Sequence, residues 1–106
     1  MRVVFLRSAE ADLQDLRAYV VKNFGAGTWS TSYRKLKDAV ALIEAHPLSG
    51  KVPDEFRNLN IAQYRQMLSG MNRIIYEVRD DTAYIHLVCD TRRDLKSLLM
   101  KRIVRA

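Results

Sequence analysis

The chain has 106 residues, of which 18 are Lys or Arg and 12 are Asp or Glu, so its formal net charge is +6. This length suits one domain, predicted to span residues 1–106, and a hydrophobic content of 48% predicts a globular fold with a substantial core. No apolar run approaches the roughly 20 residues that cross a bilayer, and the hydrophobic stretch at the N-terminus is too short for a signal peptide. We therefore expect a cytoplasmic protein with no membrane partner.

Residues that commonly bind metal are scarce. Cys89 is the single cysteine and cannot form an internal disulfide, and His46 and His86 are the two histidines. These three residues do not make up the ligand set of a zinc site. We expect no metal and no cofactor.

Positive charge is concentrated in the C-terminal half of the chain. Residues 8–46 contain five basic and five acidic residues, whereas residues 51–106 contain eleven basic and seven acidic ones. A basic surface of this kind suits an acidic partner, which can be a nucleic acid or an acidic protein.

The first part of the chain predicts a strand followed by a helix. Residues 2–6 favour a short strand, after which Ser8 is placed to cap a helix. Apolar residues then recur at a 4-3-4-4 spacing: Ala9, Leu13, Leu16, Val20 and Phe24. Gly25 is expected to end this helix because glycine adopts positive φ without steric cost.

A second helix is predicted to begin after a Thr28 cap. Its apolar stripe has a 4-3-4-3 spacing: Trp29, Tyr33, Leu36, Val40 and Ile43. The stripe ends at His46-Pro47, because the residue before a proline is disfavoured in the helical conformation. The two helices are expected to pair as an αα-hairpin. Three aromatic residues of this hairpin are predicted to lie in the core: Tyr19, Trp29 and Tyr33.

The second half of the chain predicts an antiparallel meander. Turn residues are frequent at 47–60, which is expected to be a connecting loop. Strands are predicted over residues 61–68, 72–79 and 82–89, followed by a helix over residues 93–104. The element order β-α-α-β-β-β-α predicts an α+β fold, in which an N-terminal strand and the αα-hairpin pack on a three- to four-stranded antiparallel sheet with a short C-terminal helix.

A two-residue turn at Asp80-Asp81 predicts the register of the last hairpin. Antiparallel partners then pair as Arg79 with Thr82, Glu77 with Tyr84, Ile75 with His86, and Arg73 with Val88. One face is mostly apolar and is expected to pack on the helices; it holds Asn72, Ile74, Tyr76, Val78, Ala83, Ile85, Leu87 and Cys89. The other face is the predicted functional surface, and it presents Arg73, Glu77, Tyr84 and His86 beside Arg92 and Arg93.

Four segments resemble motifs of the RelE/ParE superfamily of bacterial type II toxins. They are Ala11-Asp12-Leu13 with Tyr19, the helix exit His46-Pro47-Leu48-Ser49-Gly50, the strand at residues 72–78 and the segment at residues 88–94. Together they cover nearly the whole chain, in the order and at the separations of the superfamily. The resemblance implies a ParE-like or RelE-like toxin that is neutralised by a cognate antitoxin, with which it forms a hetero-oligomer.

The superfamily has two main activities, so the resemblance implies one of two targets. ParE-like toxins poison DNA gyrase, whereas RelE-like toxins cut messenger RNA in the ribosomal A site. Arg73 and Arg92 match arginines of the ribonuclease branch, but Gln66 and Tyr64 stand where that branch has basic residues on the second strand. No aromatic residue or histidine follows His86. A gyrase inhibitor is therefore favoured, and a ribosome-dependent endoribonuclease is the alternative.

Candidate site residues depend on which activity holds. For target binding we expect Arg73, Arg92, Arg93 and Lys96. In a ribonuclease, Arg73 and Arg92 would stabilise the charge that develops on the phosphate. The acid and base would then be drawn from His86, Glu77 and Tyr64. Two of these residues also have purely structural interpretations, Arg73 as a solvated cross-strand ion-pair partner and His86 as a packed strand residue.

The antitoxin is expected to bind through a segment that is disordered when free. The basic surface of residues 51–106 and the groove of the helical hairpin would both be covered by this segment as it folds on contact. Acidic residues next to Leu or Val would complement the positive charge and the apolar stripe together.

Overall fold

The computed structural model describes residues 1–59 and 61–105 and shows an α+β fold. Its elements in chain order are β1 (Arg2–Phe5), α1 (Arg7–Phe24), α2 (Ala26–Ala45), a 3₁₀ helix (Asp54–Leu59), β2 (Tyr64–Ser69), β3 (Asn72–Arg79), β4 (Thr82–Asp90) and α3 (Leu95–Arg105). The predicted fold class and element order are confirmed. The predicted loop at 47–60 contains the 3₁₀ helix, and its last residue lies outside the described residues. None of the described helices is long and apolar enough to cross a membrane.

A single residue, Gly25, connects α1 to α2 in the helical hairpin. Its φ of 93° lies in the region that glycine adopts without strain, and its N–H donates to the carbonyls of Val20 and Val21. Gly25 therefore ends α1, as predicted. The end of α2 at Ala45, directly before His46-Pro47, is also confirmed.

Both predicted helix N-caps were wrong. Leu6 rather than Ser8 is the cap residue of α1, and no side chain hydrogen-bonds there. Thr28 lies inside α2, where its hydroxyl donates to the carbonyl of Phe24. Thr28 is helical because Gly25 ends α1 and caps α2 at once, so no further loop residues separate the two helices.

The four strands form one mixed sheet in the order β1-β4-β3-β2. The last three strands make the predicted antiparallel meander, and β1 adds to its outer edge in parallel with β4. The two hairpins close through two-residue turns at Gly70-Met71 and Asp80-Asp81. Gly70 and Asp80 have positive φ, which such tight turns require at their first position.

The register of β3 against β4 was predicted correctly only near the turn. The pairs of Arg79 with Thr82 and of Glu77 with Tyr84 are present. Beyond Tyr76 a β-bulge leaves His86 as an extra residue on β4 and shifts the pairing by one. The predicted pairs beyond this point were therefore wrong, and the observed ones are Ile75 with Leu87 and Arg73 with Cys89.

The bulge also changes which side chains face the helices. Val88 packs in the core between the sheet and the helical hairpin, whereas Leu87 and Cys89 lie in the core on the opposite face. The assignment of Leu87 and Cys89 to the helix-facing side was therefore wrong. Because one extra residue reverses the alternation of all residues that follow it, a single bulge accounts for the whole difference.

Two hydrophobic cores lie on the two faces of the sheet. The larger core joins the sheet to α1 and α2, and its buried members are Ala9, Leu36, Ala39, Ile43, Ile74, Tyr76, Ala83, Ile85 and Val88. The second core lies beneath the 3₁₀ helix and α3, and its buried members are Phe56, Tyr64, Ile75, Leu87, Cys89, Leu95 and Leu99. The sheet face predicted to be an open functional surface is therefore largely covered.

The aromatic residues of the hairpin do not all lie in the core. Trp29 packs against the larger core, as predicted. Tyr19 and Tyr33 are exposed, so their assignment to the core was wrong. Tyr19 falls outside the apolar stripe of α1, whereas Tyr33 belongs to the stripe of α2 but lines an open groove beside the sheet.

Candidate functional site

The end of β4 is held to α1 and α3 by a buried ion pair. The last residue of β1, Phe5, pairs with Ile85 of β4. Beyond Ile85, no described strand pairs with this edge of β4. Asp12 of α1 accepts a hydrogen bond there from the N–H of Val88 at 3.0 Å. Arg102 of α3 donates to Asp12 at 3.1 and 2.5 Å.

Arg102 also bonds directly to the bulge. Its Nη1 donates to the carbonyl of His86 at 2.9 Å. One ion pair, Asp12–Arg102, therefore satisfies two backbone groups of β4 and joins both flanking helices to that strand. This gives a physical role to the Asp12 of the first sequence motif.

Arg73 lies beneath the 3₁₀ helix and is buried, with its side chain only 9% exposed. Its Nη2 lies 2.6 Å from Oε2 of Glu55, and its Nη1 lies 3.4 Å from Oε1, so the two planar groups face each other. Nη1 also donates to Gln66 at 3.2 Å, and Nη2 lies 3.5 Å from the carbonyl of Arg93. Arg73 thus links β3, β2, the 3₁₀ helix and the turn after β4.

The Arg73–Glu55 pair makes stability depend on acidic pH. The hydrogen bond from Arg73 holds the pKa of Glu55 below its ordinary value of 4.5, although partial burial opposes this shift. A carboxyl group with a lowered folded-state pKa stabilises the fold above 4.5 and loses that contribution as the pH falls through the lowered value. We expect Glu55→Gln to be less stable than the unsubstituted protein at pH 7, and to show a flatter pH dependence below 4.5. Urea unfolding at a series of pH values measures both effects.

The control for this substitution is Glu10→Gln, at an exposed carboxylate in the first turn of α1. Its unfolding free energies should follow the curve of the unsubstituted protein throughout. Equal stability of Glu55→Gln and the unsubstituted protein at pH 7 would contradict the assignment of Glu55 as the structural partner of Arg73.

His86 and Glu77 form a second polar pair on the same face of the sheet. Nε2 of His86 lies 3.1 Å from Oε1 of Glu77, each side chain is 16% exposed, and the ring of Tyr64 meets His86 edge-on. Burial lowers the pKa of His86 below 6.5, although the hydrogen bond to Glu77 opposes this shift. The imidazole is therefore neutral at pH 7, and its contribution to stability falls as the pH drops below 6.5.

The residues named for RNA cleavage are not brought to one point. Glu77 is four residues from Arg73 along β3, a backbone distance of about 13 Å at the rise of an extended strand. The guanidinium of Arg73 forms an ion pair with Glu55, and Arg92 lies beyond the end of β4. In this arrangement the Arg73 guanidinium is therefore paired with Glu55 rather than free to bind a phosphate.

Three exposed basic residues lie in the turn between β4 and α3 and in the first turn of α3. Arg92 donates from its backbone N–H and from Nε to Oδ1 of Asp90, at 2.8 and 2.9 Å, and from Nη2 to Oδ2 at 3.0 Å. The Arg92 side chain is nevertheless 77% exposed, and its presence lowers the pKa of Asp90. Arg93 and Lys96 are also exposed. Three of the four predicted target-binding residues thus lie together, and the fourth, Arg73, lies buried beneath them.

A cleft of about 670 Å³ opens beside this turn, between α1, the end of β4 and α3. Its charged lining residues are Asp12, Asp15, Asp90, Arg92, Arg93 and Arg102. Its apolar walls come from Leu16, Leu87, Val88, Cys89 and Leu98, and Tyr19 stands among the lining residues on α1. Here we name this space the β4 cleft. No group of three metal-binding side chains lies together anywhere in the described part of the chain.

Sequence reasoning missed Tyr19 and Asp90 as members of this site. Tyr19 was assigned to the core, although it falls outside the 4-3-4-4 spacing of apolar residues in its helix. That position outside the spacing favours an exposed side chain. Asp90 belongs to the motif segment at 88–94, but its contact with Arg92 depends on the geometry of the turn.

A second groove lies between the helical hairpin and the sheet. It has a volume of about 310 Å³ and is lined by Phe5, Leu13, Tyr33, Leu36, Lys37, Val40, Ala41, Glu44, Ile74 and Val88. Most of these side chains are apolar, and Lys37 and Glu44 supply one charge of each sign. We call this space the hairpin groove.

The fold is one found in toxin–antitoxin systems. A chain of the chromosomal ParDE system from P. aeruginosa superimposes with a TM-score of 0.69 at 15% identity, covering 85% of this chain and 95% of that one. A chain of the heterotetrameric YoeB-YefM toxin–antitoxin complex from Staphylococcus aureus gives a TM-score of 0.54 at 18% identity, covering 85% and 94%. No curated protein sequence is significantly similar.

Sequence comparison assigns the chain to one family within this class. The family model described as the ParE toxin of type II toxin–antitoxin systems, parDE, matches residues 3–95. The chain therefore belongs to the ParE toxin family, which confirms the resemblance seen in the sequence motifs.

Proposed function

We propose that this ParE-family toxin inhibits DNA gyrase by binding, without a hydrolytic reaction of its own, and that it acts in the cytoplasm until a cognate antitoxin neutralises it. The observation that carries the proposal is the burial of Arg73 and its ion pair with Glu55. Its guanidinium is buried and paired with Glu55, whereas Arg92 and Arg93 are exposed at the β4 cleft and Lys96 is exposed in the first turn of α3. Such an arrangement provides a binding surface but no assembled acid, base and cation set.

A gyrase supercoiling assay tests this function. Purified toxin, free of antitoxin, should inhibit supercoiling at a stoichiometric ratio to gyrase and should raise the yield of cleaved DNA. The matched control is the same toxin after incubation with its antitoxin. Full supercoiling activity and no additional cleavage at excess toxin would refute the proposal.

The alternative is a ribosome-dependent endoribonuclease, and one observation favours it. His86 and Glu77 are hydrogen-bonded on the sheet face that also carries Arg73, so an acid–base pair is present there. Movement of the 3₁₀ helix would be needed to release Arg73 from Glu55. Primer extension on messages after toxin induction would then show cuts at codon positions, whereas intact messages during growth arrest would exclude this activity.

We propose the hairpin groove as the apolar part of the antitoxin site. The groove lies between the helical hairpin and the sheet, and its lining is mainly apolar, so an antitoxin segment with Leu or Val side chains would bury them there. Acidic residues of the same segment would contact the basic surface of residues 51–106. Folding of this segment on binding costs ordering entropy but allows a large buried surface.

Charge reversal at Arg92 and Arg93 tests whether the basic turn serves both partners. We expect Arg92→Glu with Arg93→Glu to reduce growth inhibition after induction, because both side chains are exposed at the β4 cleft. The same variant should associate with antitoxin more slowly at low salt, with a smaller difference at high salt, since exposed charges act mainly through screened attraction. Growth curves and stopped-flow association rates measure these effects.

The matched control reverses Arg2 and Arg7, two exposed arginines outside both grooves, and changes the net charge by the same amount. It should keep full toxicity and nearly the original association rate. Full toxicity and an unchanged rate in the Arg92 and Arg93 variant would identify those residues as ordinary solvated surface.

A further inference from the structure

Tyr19 is an exposed aromatic residue at the β4 cleft. It is 56% exposed on α1, and its ring meets that of Phe24 in an edge contact with centroids 6.2 Å apart. Phe24 is also exposed. Tyrosine is enriched in the energetically important contacts of protein interfaces.

Arg92 also lines the cleft, where Asp90 orients its guanidinium. The carboxylate takes the Nε–H and one Nη2–H, in addition to the backbone N–H of Arg92. A guanidinium has five N–H donors, so three remain directed away from Asp90. A side chain fixed in this way loses little entropy when a partner binds.

The charges of the cleft balance. Its lining contains three aspartates and three arginines, and two of the possible ion pairs are formed, Asp12 with Arg102 and Asp90 with Arg92. A nucleic-acid backbone binds chiefly where free cations neutralise its phosphates. In this lining, Arg93 is the arginine outside the two described ion pairs, and the charge of Asp15 offsets it. A neutral cleft with apolar walls, an exposed tyrosine and a fixed arginine suits a protein surface.

We propose that Tyr19 and Arg92, with Asp90 as the positioning residue of Arg92, form the main contact through which the β4 cleft binds a protein segment of its target. That segment offers a carbonyl or carboxylate oxygen to Arg92 and an apolar side chain to the walls of the cleft. The inference rests on the proposed function, in which gyrase is the target, and it names protein rather than DNA as the surface bound at this cleft.

Direct binding to the gyrase holoenzyme, measured without DNA, tests the proposal. Tyr19→Ala and Arg92→Ala should each weaken binding about tenfold or more, as removal of a principal interface residue does. Tyr19→Phe should retain most of the affinity because it keeps the ring. The controls are Leu68→Ala, an exposed apolar residue outside the cleft, and Arg57→Ala, an exposed arginine outside the cleft that forms an ion pair with Asp54 at 3.2 Å. Both should stay within about twofold of the unsubstituted protein.

Asp90→Asn distinguishes a protein ligand from a nucleic acid, because the substitution should change the two binding affinities in opposite directions. The substitution weakens the contact that orients Arg92. It also removes one negative charge, so the net charge of the cleft rises by one. Binding to a protein segment should weaken, because Arg92 is no longer held, while binding to DNA should strengthen with the added charge. Urea unfolding of each variant identifies any loss of affinity that comes from a destabilised fold.

Three outcomes would overturn the proposal. Tighter binding by Asp90→Asn, together with a steep salt dependence on DNA alone, would assign the cleft to nucleic acid. Unchanged gyrase affinity in Tyr19→Ala, with inhibition intact, would remove Tyr19 and leave the proposed function standing. Failure of the unsubstituted toxin to bind or inhibit gyrase would refute the proposed function itself, and this inference with it.

Discussion

Replacing Gly50 by alanine should lower the free energy of unfolding by about 3 kcal/mol, the upper part of the range for an overpacked site. A Cβ atom at this position would lie 2.3 Å from the hydroxyl of Tyr76 and 2.7 Å from the carbonyl of Gln66. Tyr76 is fully buried, and its hydroxyl accepts from the N–H of Gly50 at 3.2 Å and donates to the carbonyl of Pro47 at 2.7 Å. Movement of the Tyr76 hydroxyl would break its hydrogen bonds to Gly50 and Pro47, and movement of the Gln66 carbonyl would displace the backbone of β2. Urea unfolding measures the change.

The matched control is Gly27→Ala, at a helical glycine with no atom within 4 Å of an added Cβ. This variant should be unchanged or more stable by about 0.5 kcal/mol, because alanine restricts the unfolded chain more than glycine does. Introducing Gly50→Ala into a Tyr76→Phe background should cost less than in the original protein, since the closest contact is then absent. Equal costs in both backgrounds would show that Tyr76 is not the obstacle.

Replacing Asp12 by alanine should also destabilise the fold strongly, by about 3 kcal/mol. The substitution leaves the N–H of Val88 without its acceptor and removes the carboxylate that pairs with Arg102. Both Asp12 and Arg102 are largely buried, so water replaces the lost contacts poorly. Because Arg102 belongs to α3, amide exchange in α3 should accelerate more than in β3. Hydrogen-exchange mass spectrometry and urea unfolding measure the two effects.

Two further variants divide this effect into its parts. Asp12→Asn keeps an oxygen acceptor for Val88 but loses the charge, so its cost should be smaller than that of alanine. Asp15→Ala removes an exposed carboxylate one turn further along α1 and should change stability by less than about 0.5 kcal/mol. If Asp12→Ala were as mild as Asp15→Ala, the ion pair would have no role in holding α3.

Local sequence signals predicted the arrangement of elements well. The helical hairpin is bounded by Gly25 and by His46-Pro47, and both boundaries depend on the conformational preferences of single residues. The bounds of β3 were predicted without error, because its alternation is flanked by two tight turns. The motif at residues 46–50 also proved informative, since Gly50 is required by the close approach of Tyr76.

The candidate site was predicted less completely, for reasons that lie in long-range contacts. Arg92, Arg93 and Lys96 lie within five residues of the sequence, so their proximity was predictable from this short segment alone. The partner of Arg73 was not predictable, because Glu55 is 18 residues away on a 3₁₀ helix within a segment that has no periodic pattern. Tyr19 and Asp90 also required the structure, since only the packing of α1 against β4 brings them to one cleft.

The sequence by itself determined the element order, the α+β class, the placement of the basic turn and the family, because these depend on local preferences and on motifs in a fixed order. Only the tertiary structure decided the face on which each residue of β4 lies. The bulge at His86 reverses the alternation after it, and its backbone groups are satisfied by Asp12 and Arg102, 76 residues from Val88 and 16 residues from His86. A bulge held by such distant partners leaves no local pattern in the strand, so alternation alone predicted the wrong face.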